Sequence, residues 1–161
     1  MDMKHWKLAR PADVPAGKPM IILQSVVLRC PPLSQDGQVH GLVLSGESVG
    51  KVVRLANDHA LFYSGDIEIE ADALAVLASR VTANADRRGA LIVGQAGPYI
   101  LGQLVGNHDS YMYGLSAGGE LLFEDDIAGV RHSIVNEWRL VLLDGADRRV
   151  SLVEVRGIEA V

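Results

Sequence analysis

Between residues 20 and 155 the chain is cut into apolar runs of strand length by Gly, Asn, Asp and Pro. That punctuation is the strongest constraint on its fold. Short runs rich in Val, Ile, Leu and Tyr between turn residues read as β-strands. Residues 20–30, from Met20 to Cys30, read as one strand buried on both faces, with Met20, Ile22, Val26 and Leu28 on one side. Pro31-Pro32 ends it, because proline donates nothing to a ladder. Residues 38–44 follow as a strand. Residues 51–64 read as a hairpin turning near Asn57-Asp58. A meander over 90–94, 99–105, 110–116 and 120–124 precedes a hairpin of 137–144 and 148–155 around Asp144-Gly145.

The period changes once. Leu74, Leu77, Ala78, Val81 and Ala85 recur at helical spacing, which predicts a helix over residues 72–87. Asp72 lies near its positive end, Arg87 and Arg88 near its negative end, and Gly89 supplies the stop. A short second helix is expected over 126–136, on the spacing of Ile127, Val130 and Ile134. The expected fold is therefore α+β and β-rich. It has about ten short strands in a curved antiparallel sheet or partly closed barrel, around one helix. Residues 1–19, with three prolines and little periodicity, read as an N-terminal arm, and residues 20–161 as a single domain.

The bulk numbers agree with one soluble domain. A chain of 161 residues can bury roughly 68–70% of its unfolded surface without a staple. Its hydrophobic share is 48%, and no apolar run approaches the roughly 20 residues that span a bilayer. Neither a secretory leader nor a disulfide pair is visible, Cys30 being the single cysteine, so a cytoplasmic location is expected. Fifteen basic and twenty acidic side chains give a net charge of −5 without a basic stripe, which argues against direct nucleic-acid binding.

Three short motifs invite chemistry. Gly106-Asn107-His108-Asp109 resembles the Gly-Asn-His-Asp/Glu motif of the calcineurin-like metallophosphatases. That resemblance implies Asn107 as a metal ligand and His108 as the group that stabilises or protonates the leaving oxygen. A two-metal site needs ligands from several loops. Here the first strand ends in Arg29-Cys30, Ile69 stands where a second Asp is required, and only His132 lies downstream. The alternative is a four-residue turn joining Val105 to Ser110, which sets Gly102 opposite Tyr113 and Leu104 opposite Tyr111. The turn accounts for more residues, and no metal or cofactor is expected.

Gly114 to Gly118 is similar to the nucleophile elbow of the α/β-hydrolases, with Ser116 at its centre and Asp125 or Asp126 and His132 following in order. An elbow must open a helix, whereas Gly118-Gly119 and the apolar run after it predict a hairpin. Residues 45–51 fall one residue short of a phosphate loop and carry Val52 where a hydroxyl is needed. They read as a surface loop.

Two acidic groups remain. Asp66, Glu68 and Glu70 alternate with Ile67 and Ile69, so they stand on the solvent face of one strand. Glu124, Asp125 and Asp126 form the second set. With Trp138, Tyr63, Tyr99, Tyr111 and Tyr113 available as anchors, the expected function is a non-enzymatic protein-binding module. In it the two acidic sets dock a basic protein, and self-association is left open. The alternative is a small-molecule-binding or hydrolytic barrel, whose site is assembled from scattered residues such as His59, His132, Asp66, Glu124 or Ser116.

Overall fold

The computed structural model describes residues 3–72, 87–94, 97–106, 110–123, 126–127, 133–145 and 148–159. Among these the chain is all-β, with three open antiparallel sheets of six, five and three strands and a two-stranded ribbon. The longest continuous helical turn among them is the three-residue 3-10 segment Pro11–Asp13. Of the helix expected over 72–87, residues 73–86 lie outside the described residues, and its expected last residue, Arg87, is in a strand, Arg87–Arg88.

The six-stranded sheet contains β1 (Trp6–Ala9), β2 (Pro19–Ile22), β3 (Ser25–Arg29), β4 (His40–Val43), β5 (Val52–Arg54) and β6 (Ala60–Tyr63). Their order is β1-β6-β2-β3-β4-β5. Three expectations are corrected here. Residues 6–9, read as part of an arm, pair with β6 from Trp6↔Tyr63 to Ala9↔Ala60. Residues 20–30 are two strands, not one. The chain reverses at Leu23-Gln24, and both residues take positive φ, 45° and 69°. The reversal sets Met20 opposite Val27, so Val27, not Val26, shares the face of Met20.

The third correction concerns residues 51–64. β5 and β6 do not pair, because β4 takes the inner side of β5 while β1 and β2 take both sides of β6. The sheet curls instead. Met20, Val27, Val43, Ala60 and Phe62 close a core inside the curl, with Val53 and Leu55 packed against it. No ladder joins its two margins, so the sheet stays open and is no barrel.

The second sheet contains β9 (Leu91–Gly94), β10 (Gly97–Val105), β11 (Ser110–Leu115), β12 (Leu121–Leu122) and β13 (Ser133–Val135). Its order, β12-β11-β10-β9-β13, is the expected meander with β13 added. Ser133–Val135 therefore corrects part of the second expected helix. Ile134 pairs with Ile92, where its β-branched side chain joins the apolar face of that sheet. The third sheet, β15-β14-β7, is built from β7 (Asp66–Glu70), β14 (Glu137–Leu143) and β15 (Arg149–Arg156). Arg87–Arg88 (β8) pairs with Ile158–Glu159 (β16) in the ribbon.

The three sheets meet in one central core of Leu28, Leu42, Leu44, Leu91, Ile100, Leu115, Trp138 and Leu140. Two polar contacts pin it. The Trp138 indole N–H donates to the Gly89 carbonyl at 2.7 Å, and the buried Arg88 Nε donates to the Val49 carbonyl at 2.8 Å. The second of these holds the loop over residues 45–50.

Candidate functional site

The outward face of β7-β14-β15 carries the densest set of charged side chains that the described residues place together. Its rows follow from register, since directly opposed residues share a face. Glu70, Arg139 and Glu154 form one row; Glu68, Val141 and Ser151 the next; Asp66, Leu143 and Arg149 the third. Glu137 and Arg156 add a fourth.

A β-bulge makes this face. Leu140 opposes Val153 and Val141 opposes Ser151, which leaves Leu152 as an extra residue. Under strict alternation, Arg149 and Ser151 would point away from Glu154 and Arg156. The extra residue resets the phase, so that all four face outward. Strict alternation also makes Arg139 an outward residue between the buried Trp138 and Leu140, a signal present in the sequence. For Arg149 no such signal existed.

Two arginines then order the carboxylates of β7. Arg139 Nε lies 2.8 Å from one oxygen of Glu70, and Arg149 binds the other. Arg149 also reaches Glu68 at 2.6 Å. Arg149 hydrogen-bonding, reinforced by Arg139, holds the Glu70 carboxyl below its usual range, while Glu70 and Glu68 together push the Arg149 guanidinium up. Arg156 Nε donates to Glu137 at 3.0 Å. Where β7 leaves the sheet an open cleft of about 1030 Å³ is lined by Glu70, Asp72, Glu137, Arg139, Glu154 and Arg156, with Ile69 and Trp138 beside them. This is a surface of alternating charge, suited to binding ionic groups.

Of the second acidic set only Asp126 is among the described residues, and it does not line that cleft. Asp126 is exposed just after β12, its N–H donating to the Phe123 carbonyl at 3.0 Å, while Glu124 and Asp125 lie outside the described residues. Of the scattered catalytic candidates, His59, Asp66 and Ser116 are among the described residues. His59 is exposed in the segment between β5 and β6. Ser116 Oγ accepts from the Glu120 N–H at 3.0 Å and so caps the β11–β12 turn. His132 lies outside the described residues. Among the described residues no group of three His, Cys, Asp or Glu is placed to hold a metal ion.

β10 and β11 pair antiparallel in the expected register, Gly102↔Tyr113, Leu104↔Tyr111 and Val105↔Ser110. Asn107, His108 and Asp109 lie outside the described residues. Cys30 is buried, and burial pushes its thiol up to about 12 against the opposing pull of Arg29. Its thiolate is therefore scarce at neutral pH. His40 is buried with Nδ1 unpartnered, and burial holds its imidazole below its ordinary value, opposed by Asp36 and reinforced by Arg29 and Arg54.

Comparison with protein-family models, with curated proteins and with solved structures found no match.

Proposed function

We propose that the protein is a non-enzymatic, cytoplasmic protein-binding module that docks a partner rich in basic side chains on the outward face of β7-β14-β15. One observation supports this reading above the others. Asp66, Glu68, Glu70, Glu137 and Glu154, five carboxylates, share an open face with three arginines, Arg139, Arg149 and Arg156. The excess is acidic, and two of its members are already ordered by Arg149. Ordered carboxylates lose less side-chain freedom on binding, and an acidic excess raises the rate of encounter with a basic surface. Asp126, with Glu124 and Asp125, stays in this reading as a separate acidic patch. The expected helix also belongs to it, short of Arg87, resting on the spacing of Leu74, Leu77 and Val81.

Affinity capture with the wild-type chain and with an Asp66→Asn/Glu68→Gln/Glu70→Gln variant tests the proposal. At low ionic strength the wild type retains a basic protein that the triple variant releases, and salt weakens the wild-type complex more steeply. Retention of the same proteins by both chains, with the same salt response, removes the proposal.

A further inference from the structure

A carboxylate already paired with a guanidinium offers an incoming cation less than an uncommitted one. Its charge is partly neutralised and some of its lone pairs are taken. On the outward face of β7-β14-β15 the two kinds separate. Arg139 and Arg149 bind Glu70, Arg149 binds Glu68 as well, and Arg156 binds Glu137. Asp66 and Glu154 enter no ion pair among the described residues. The excess of five carboxylates over three arginines is therefore borne by two particular residues.

Their settings differ. Asp66 opposes Leu143 and does not line the cleft where β7 leaves the sheet. Glu154 does line it, and Ile69, Ala71, Trp138 and Val155 bring apolar surface to the same walls. A long basic side chain can lay its methylenes along such surface and set its charged end against a carboxylate. With four carboxylates and two arginines, the lining also favours a cation. The row beside Glu154 matters too. Arg139 stands between Glu70 and Glu154, and its Nε goes to Glu70 at 2.8 Å. Glu70 thereby keeps Glu154 open, since without it Arg139 would turn to the carboxylate on its other side.

We infer that Glu154 is the anchor of the docking face, receiving in the cleft one arginine or lysine side chain of the partner. Glu70 is its positioning residue, acting through Arg139. The inference rests on the docking function proposed above and names the contact that decides which partner fits.

Carboxyl-carbon NMR of the full chain, titrated with N-acetyl-arginine amide, tests it, with N-acetyl-citrulline amide as the uncharged match. The Glu154 carbon shifts saturably with the arginine derivative, further than those of Glu68 and Glu70, and stays in place with the citrulline derivative. Glu154→Gln abolishes the saturable shifts of the Ile69 and Val155 amides while leaving the thermal transition in place. Glu70→Gln weakens the response at Glu154. No saturable shift at Glu154 overturns the inference, as does an equal response at Glu68 and Glu70 or an equal response to the citrulline derivative. Affinity capture with the β7 variant is a separate measurement. An anchor at another residue would leave its result standing, whereas its failure removes the docking function whatever the arginine derivative does.

Discussion

Val52 occupies the space that a side chain at Gly102 would need. A Cβ placed on Gly102 would stand 2.7 Å from Val52 Cγ2 and 2.9 Å from Leu42 Cδ1. The missing side chain lets the margin of the six-stranded sheet close onto β10, where the Gln103 N–H donates to the Gly50 carbonyl at 2.7 Å. The aromatic of Tyr113 opposes this glycine, as the register predicts, but the glycine is required by the neighbouring sheet.

Gly102→Ala is therefore expected to destabilise the fold by about 1–3 kcal/mol through overpacking. Urea denaturation measures this. Adding Val52→Ala removes the closer of the two clashes and leaves the one with Leu42, so the double variant costs less than the sum of the single changes, the coupling expected of residues in contact.

Leu23 and Gln24 pair positive φ with side chains that disfavour it, and Leu23 is 95% exposed. Two positive φ values mark a type I′ turn, which prefers Asn-Gly. Left-handed backbone costs roughly 1–2 kcal/mol per ordinary residue. Leu23→Asn/Gln24→Gly should raise the denaturation midpoint with an unchanged m-value. An unchanged or lower midpoint would show that the turn stores no strain.

Burial holds the imidazole of His40 below its ordinary value, so the folded chain keeps it neutral where the unfolded chain protonates it. The unfolded state then binds more protons, and stability rises with pH in that window. The contribution is complete above the unfolded value of about 6.5 and is lost as pH falls toward the lower folded value. His40→Gln should flatten the stability profile between pH 5 and 7, as followed by urea midpoints at each pH.

Cys30, with its thiol pushed up to about 12, should resist alkylation. Iodoacetamide near neutral pH labels the native chain slowly and the urea-unfolded chain fully, and mass spectrometry counts the adduct. Rapid labelling of native protein would mean that the thiol is accessible.

Arg149 holds both Glu68 and Glu70, and all three side chains are partly exposed. Exposed ion pairs contribute little. Arg149→Gln should lower stability only slightly in low salt and by less at high salt. Its larger effect is on the order of the Glu68 and Glu70 side chains, which NMR of the carboxylate carbons reads directly.

The parts of this architecture that local chemistry dictates were legible in the sequence. Asp144-Gly145 announces the β14–β15 hairpin, and the four residues between Val105 and Ser110 set the β10–β11 register. Alternation alone puts Asp66, Glu68 and Glu70 on one face. What was not legible depends on residues far apart or on turns with the wrong chemistry. Nothing in Leu-Gln announces a reversal, so β2 and β3 read as one strand. Nothing local says that β6 sits between β1 and β2, because both neighbours are distant in sequence. Within the candidate site the acids of β7 were readable, but their neutralisation by Arg149 depends on the bulge at Leu152, which strict alternation hides.

The placement of β1 beside β6 also sets a timetable. Trp6 opposes Tyr63, their rings meet edge to face at 5.3 Å, and β6 is the only strand that neighbours β1 among the described residues. During synthesis at about 5–20 residues per second, the first strand leaves the ribosome seconds before its neighbour exists. The hairpin of β2 and β3 closes over a two-residue turn and needs no such wait. Contacts between distant segments form late, because the loop between them must be closed first. The pairing of β1 thus waits for residue 63, and the pocket that buries Trp6 waits longer still, for Leu142 of the third sheet.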